Sequence, residues 1–226
     1  MAAFPWSEVN SVLLDMDGTL LDLHFDTHFW LHHVPTHYGE KNKLSFDDAK
    51  SELLGRYERM MGTMEWYSVD YWAGELSLDI AALKEEVAHL IDIHPRVPEF
   101  LSRLRQAGKR TALVTNAHHK SLGLKMRRTG LESYFDAVIC AHDIGRPKED
   151  PEFWDCLQQV EPFDRERTLL VDDSLPVLRS ARGYGIAYLR AIRKPDTRQP
   201  EKDTEEFEAL ESFEDIMPEE IVRGEA

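Results

Sequence analysis

Five short apolar runs of strand character, at Val12–Asp15, Thr111–Thr115, Ala137–Cys140, Thr168–Val171 and Ala187–Ile192, constrain this chain more than any other feature. Segments of helical periodicity precede and separate the last four. Val97, Phe100, Leu101 and Leu104 share one face, and Leu122, Lys125 and Met126 share another that ends near Gly130. Asp150 reads as an N-cap with Pro151 at the first helical position. Strands alternating with helices predict a parallel sheet covered on both faces, an α/β architecture.

The rhythm breaks once. Roughly ninety residues separate the first and second runs, where a simple crossover needs about a dozen. The excess reads as wholly helical. Ser45 is a candidate cap with Asp47 and Asp48 in its first turn, where the helix dipole favours acids. Leu53, Tyr57, Met60, Met61 and Met64 recur at helical spacing, as do Leu83, Val87 and Leu90. The expected organisation is a Rossmann-like core from residues 1–22 and 93–226, with a small α-helical cap, residues 23–92, inserted after the first strand. "RKPDTRQPEKDTEE" reads as a polar connector of low order, and "FEALESFEDIMPEEIV" as a short final element.

Charge narrows the partners. The 226 residues carry a formal net charge of −15. Arg193–Ala226 alone holds 12 acids against 5 bases. Such a balance argues against a nucleic-acid backbone or an anionic membrane as partner, so the acidic tail reads as a solvated segment. No apolar run reaches the roughly 18–20 residues of a membrane span. The opening "MAAFPWSEVN" lacks the basic and apolar regions of a secretory signal. Cys140 and Cys156 read as reduced packing residues, and a cytoplasmic setting is expected.

The first run, in "SVLLDMDGTLLDL", ends in Asp15 and Asp17. Acids at the end of a buried strand are costly unless something binds them. In parallel α/β sheets, ligands bind at the carboxyl ends of the strands. Thr115 and Asn116 end the second run, Asp172 and Asp173 end the fourth, and Lys148 lies in the loop before it. Four acids facing one another imply a bound cation, and oxygen-only ligation suits Mg²⁺. Lys148 and the Thr115 hydroxyl can hold an anion beside it, which together describes a phosphate site. The spacing of Asp15 and Asp17 allows one carboxylate to attack phosphorus while the other reaches the leaving oxygen. Gly18 permits the tight turn that follows.

"DMDGTLLD", "LVTNA", "GRPKEDP" and "LLVDDS", in this order, resemble the four motifs of the haloacid dehalogenase (HAD) superfamily of phosphotransferases. The insertion resembles that superfamily's smaller cap type. The resemblance implies that Asp15 is the nucleophile and Asp17 the general acid/base. Thr115 and the backbone N–H groups around Asn116 would bind the phosphoryl group, and Lys148 would neutralise its charge. Mg²⁺ would be held by Asp15, the Asp17 backbone carbonyl and Asp173, with Asp172 in support. Two positions depart from the pattern. Val177 stands where many relatives carry a further acid, for which Asp172–Asp173 are expected to compensate, and Glu149 follows Lys148 where many have proline. HAD dehalogenases lack an acid at the position of Asp17 and P-type ATPases have threonine there, so Asp17 implies a phosphatase or phosphomutase.

"DLHFDTHFW", "WYSVDYW", "TNAHH" and "PKED" further resemble the superfamily's bacterial GMP/IMP nucleotidases, which implies a small phosphorylated metabolite, a purine mononucleotide, as substrate. The runner-up substrates are small sugar or glycolytic phosphates. A receiver signalling module gathers similar groups, but its acidic pair comes first in the chain and its lysine last. A catalytically dead adaptor is disfavoured by four intact motifs. His24 and Phe25, which enter the cap beside the first motif, are candidate substrate contacts. Trp30, Trp66, Tyr67, Tyr71 and Trp72 could stack a base, though their helical spacing favours cap core. His28 and His32 read as a solvated helix face, and His118 and His119 as surface residues.

Overall fold

The computed structural model describes residues 4–219. Expectations for residues 1–3, and for residues 220–226 at the end of the tail and of the closing element, lie outside the described residues. Strand β1 (Ser11–Leu14) leads into a stretch that is helical as expected. It opens with α1 (His24–His28), a π-helical turn (Phe29–His33) and α2 (Val34–Asn42). Helices α3 (Phe46–Met60), α4 (Met64–Tyr67), α5 (Val69–Leu76) and α6 (Ile80–Glu86) follow. The rest alternates: α7 (Val97–Gln106), β2 (Arg110–Thr115), α8 (His119–Thr129), β3 (Ala137–Cys140), α9 (Ala141–Ile144), α10 (Pro151–Val160), β4 (Thr168–Asp172), α11 (Leu175–Tyr184), β5 (Tyr188–Ile192) and β6 (Ala209–Leu210).

The six strands form one parallel sheet in the order β3-β2-β1-β4-β5-β6. Alternation along each strand divides the core between two faces. Val12, Leu14, Leu113, Leu169 and Val171 pack with the apolar faces of α7 and α8. Leu13, Ala112, Val114, Leu170 and Ala191 pack with Phe153, Trp154 and Leu157 of α10 and with Val177, Leu178 and Ala181 of α11. This is the Rossmann-like layering the sequence predicts. Among the described residues, no helix is long and apolar enough to cross a membrane.

Local signals hold at the caps. Ser45 accepts from the Asp48 N–H at 3.2 Å, and Asp150 accepts from Glu152 N–H at 2.9 Å ahead of Pro151. The methionine stripe does not hold. Helix α3 stops at Met60 because Gly62 turns the chain at φ +80° and Thr63 caps α4, leaving Met61 65% exposed. In the helical stretch, Trp30, Tyr57, Trp66, Tyr71 and Trp72 form one aromatic cluster with centroid separations of 5.1–6.2 Å. They are core, not a stacking platform.

The connector after β5 differs from expectation. It has no regular secondary structure, yet it is pinned. The Pro195 carbonyl accepts from the Leu23 N–H at 2.9 Å and faces His94 Nε2 at 3.1 Å, and Asp196 is buried. Asp22 accepts from the Thr197 N–H at 3.1 Å. The tail beyond it is not merely solvated. Phe207, Leu210, Phe213 and Ile216 are buried, while Glu205 and Glu206 pair with Arg179 and Glu208 pairs with Arg190. Spaced apolar residues dock this segment, and its acids meet arginines of the core. Cys140 is buried, Cys156 half-buried, and both are free thiols.

Candidate active site

Strand β1 lies between β2 and β4, so their carboxyl ends meet at the centre of the sheet. Leu14 is in register with Leu113 and Val171, which sets Asp15 level with Val114 and Asp172. Lys148 reads out that level. Its ammonium donates to Asp15 Oδ1 at 2.5 Å, Asp172 Oδ2 at 2.7 Å and the Val114 carbonyl at 3.1 Å. A buried ammonium needs this many partners to offset its desolvation.

The loop that presents Lys148 is itself fixed. Asn116 Oδ1 accepts from the Lys148 N–H at 2.9 Å, and Asn116 Nδ2 donates to Glu149 Oε2 at 2.9 Å. The second Glu149 oxygen accepts from the Tyr67 hydroxyl at 2.5 Å, joining α4 to the strand-end loops. Glu149 therefore does what a proline at that position could not.

Oxygens of Asp15, Asp172 and Asp173 lie within 4.8 Å of one another. Burial pushes Asp15 up to about 6, against the pull of Lys148 and with a push from Asp172. Asp173 is driven well above the usual carboxylate range by burial, then by Asp172 and Asp15. The two aspartates at the end of β4 are not equivalent. Asp172 is engaged by Lys148 and accepts from the Ser174 N–H at 2.9 Å, whereas Asp173 faces Lys202 at 3.9 Å. The all-oxygen donor set and its surplus negative charge fit a hard dication such as Mg²⁺. Gly18 serves the cluster twice. It turns at φ +80°, and a Cβ there would stand 2.8 Å from Asp173 Cγ.

Asp17 belongs to a second network. Its Oδ1 accepts from Lys125 Nζ at 2.6 Å, Lys125 also donates to Asp26 Oδ2 at 2.6 Å, and Lys84 donates to Asp26 Oδ1 at 3.0 Å. Both lysines are buried. Burial lifts Asp17 to about 6, with Lys125 pulling down and Asp26 pushing up. Burial also pushes Asp26 up, but Lys125 and Lys84 outweigh it and hold that acid at about 2. Lys125 stands on the apolar face of α8 beside Leu122 and Met126. That placement was the available signal, because a lysine in an apolar stripe requires an acid.

A cavity of about 150 Å³ opens over these groups, lined by Asp15, Asp17, Lys148, Asp172 and Asp173 with Tyr67, Asn116 and Val177 among its walls. Thr115 does not line it; the residue is buried and its hydroxyl accepts from the Ala117 N–H at 3.0 Å. Phe25 is not positioned as a substrate contact. It is 1% exposed, stacked near Phe29, with Lys84 and Lys125 ammoniums 4.9 and 5.1 Å from its ring centre. His24 also lies outside the lining and turns Nδ1 toward Asp196 at 3.8 Å. His118 caps α8, accepting from the Lys120 N–H at 3.3 Å, while His119 faces Asp143 at 3.0 Å. His32 is exposed and His28 partly so, as a solvated face requires.

A parallel sheet carrying Asp-x-Asp, a buried lysine and an Asp-Asp pair at adjacent strand ends defines the class. The chain matches the haloacid dehalogenase-like hydrolase family over residues 9–185, and it belongs to that family of hydrolases. It is 37% identical over 213 residues to the GMP/IMP nucleotidase YrfG of Escherichia coli strain K12, covering 94% of this chain and 96% of that one. It is also 25% identical over 195 residues to the phosphorylated carbohydrates phosphatase of Thermotoga maritima, covering 81% and 85%. Among solved structures, a HAD phosphatase from Thermococcus onnurineus shares the fold with a TM-score of 0.76 at 24% identity, over 91% of this chain and 95% of that one.

Proposed function

We propose that the protein is a Mg²⁺-dependent phosphomonoesterase that works through an aspartyl-phosphate and acts on purine nucleoside 5′-monophosphates such as GMP and IMP. The substrate assignment is carried by the 37% identity to the Escherichia coli GMP/IMP nucleotidase across nearly the whole of both chains. The mechanism is supported by the separation of Asp15 and Asp17 into two electrostatic environments, one with Lys148 and one with Lys125.

An Asp15 oxygen attacks phosphorus, and the ester P–O bond breaks as the acyl-phosphate forms. Protonated Asp17 delivers its proton to the departing alkoxide. Asp17 then takes a proton from water, whose oxygen attacks the phosphoryl group, releasing inorganic phosphate and restoring Asp15. Lys148 offsets charge on the transferring group, and the backbone around Asn116, which lines the cavity, frames it. Asp15, the Asp17 carbonyl and Asp173 would hold Mg²⁺, with Asp172 in support. The ion supplies charge neutralisation that lets a phosphate dianion approach carboxylates.

Residues 23–92 act as a cap in this scheme. The cavity of about 150 Å³ accepts the phosphoryl end but is smaller than the roughly 300 Å³ at which small-molecule pockets begin. A nucleoside therefore requires the Tyr67–Glu149 contact to open, a lid motion of the kind that gates many enzymes. The 25% identical carbohydrate phosphatase keeps sugar phosphates as the second reading. Phosphate release from GMP, IMP, pyrimidine monophosphates and hexose phosphates, with and without EDTA, tests both. GMP and IMP are expected to lead hexose phosphates in kcat/KM by about tenfold or more, a difference of roughly 1.4 kcal/mol. The reverse order overturns the substrate assignment, and full activity in EDTA overturns the metal dependence.

A further inference from the structure

A second cluster of metal-ligating groups lies away from the phosphate cavity, on the outer side of the helical insertion. His33 closes the π-helical turn and His37 follows it in α2, four residues on, so both rings project from one helix face. Their centroids are 4.6 Å apart. Glu86, the last residue of α6, reaches across to both. Its Oε2 stands 3.0 Å from His33 Nε2 and 3.6 Å from His37 Nε2. The three residues each offer a ligand atom within 4.8 Å of the others.

These separations have a specific chemical sense. Three ligand atoms bound at about 2.0–2.1 Å to one tetrahedral ion stand roughly 3.3–3.5 Å from each other. The two edges to Glu86, 3.0 and 3.6 Å, bracket that value, and the third lies within 4.8 Å. His33 Nε2 and Glu86 Oε2 share a hydrogen bond at 3.0 Å and His37 Nε2 stands 3.6 Å from the same oxygen, so the three ligand atoms are gathered within the span of one cation. His37 Nδ1 also lies 4.0 Å from the Glu40 carboxylate, which adds negative charge beside the ring. Glu86 is about half exposed, which leaves a fourth position open to water.

We propose that His33, His37 and Glu86 form a binding site for a divalent transition metal of the Zn²⁺ type, cross-linking α2 to α6. Two imidazoles and one carboxylate select a borderline ion over Mg²⁺, which takes oxygen ligands. The site is independent of the all-oxygen cluster at the strand ends. Its ion ties the π-helical turn and α2 to α6, the helix that carries Lys84.

The test is isothermal titration of Zn²⁺ into the full chain, with millimolar Mg²⁺ present to occupy the strand-end acids. One saturable Zn²⁺ site is expected. His37→Ala and Glu86→Gln should each weaken it by about tenfold or more, whereas His28→Ala, which leaves the three ligands intact, should change it less than about twofold. Co²⁺ supplied in place of Zn²⁺ should give visible absorption bands that His33→Gln and His37→Ala abolish. Circular dichroism establishes that the variants are folded, and Glu86→Gln preserves shape if the alanine variant does not fold. Zinc uptake unaffected by His37→Ala and Glu86→Gln, or no saturable uptake, overturns the assignment.

Discussion

Replacing Lys125 with methionine keeps side-chain length, removes the charge, and tests the chain of alternating charges Asp17–Lys125–Asp26–Lys84. Lys125 is 1% exposed and holds Asp17 and Asp26 at 2.6 Å each. Removing one member of a buried ion pair costs about 3–5 kcal/mol, because the remaining charges stay buried without compensation. For a chain of this length that is roughly 6–20 °C in Tm. The chemical effect has its own sign. Burial raises Asp17 to about 6, and Lys125 is the strongest group acting against that rise. Without the ammonium, Asp17 should rise by a further one to three units or so, the usual reach of a lost opposite charge. Asp26 acts on Asp17 in the other direction, so Asp26→Asn should lower it.

The assay is the pH dependence of kcat/KM with GMP and with p-nitrophenyl phosphate. The limb that belongs to Asp17 should move up by about one unit or more in Lys125→Met and down in Asp26→Asn, while Lys125→Arg stays near the wild type. A buried pair that served stability alone would lower Tm in both variants and leave the limb where it was. That outcome refutes the electrostatic role. If Lys125→Met does not fold, the downward shift in Asp26→Asn still decides the matter.

Asp17→Asn should reduce turnover of alkyl phosphates by roughly 10²–10⁴ and that of p-nitrophenyl phosphate much less, since a good leaving group needs no proton; equal losses on both would remove the acid role. Asp26 is held at about 2 against an ordinary 3.8, so it contributes about 2 kcal/mol of stability that is present above pH 4 and is lost as pH falls toward 2. Asp15 and Asp17, raised to about 6, have the opposite sign, their contribution weakening as pH rises from 3.8 toward 6. The comparison is therefore between urea midpoints of wild type and Asp26→Asn, whose gap should narrow on acidification; a constant gap contradicts it. Tyr67→Phe removes the hydroxyl bond to Glu149 that a nucleoside must open, and should lower KM for nucleotides more than it changes kcat; an unchanged KM with reduced kcat would place Tyr67 in the chemistry instead.

The strand-end groups were legible because each is fixed by its own strand. An apolar run that stops at Asp15, Thr115 or Asp172 puts that residue at the sheet's carboxyl edge whatever the rest of the chain does. Phe25 is not legible in the same way, because closeness in sequence to Asp17 does not fix closeness to the cavity. One helical step separates Phe25 in the core from Asp26 on Lys125, and nothing local in "LHFDTH" says which way α1 rolls. The bonds of Lys125, Asp26 and Lys84 escaped for a different reason, since they join residues on three helices far apart in the chain. Under the proposed mechanism, those bonds form a route from the inserted helices to Asp17 as proton donor. Asp26 belongs to the inserted helices and raises Asp17, while Lys125 belongs to the core and lowers it. Withdrawing Asp26 as the cap opens would lower Asp17 and favour its ionised form. Returning Asp26 on closure would raise Asp17 toward the protonated state the leaving group requires, so that the acid is charged with its proton only when the substrate is enclosed.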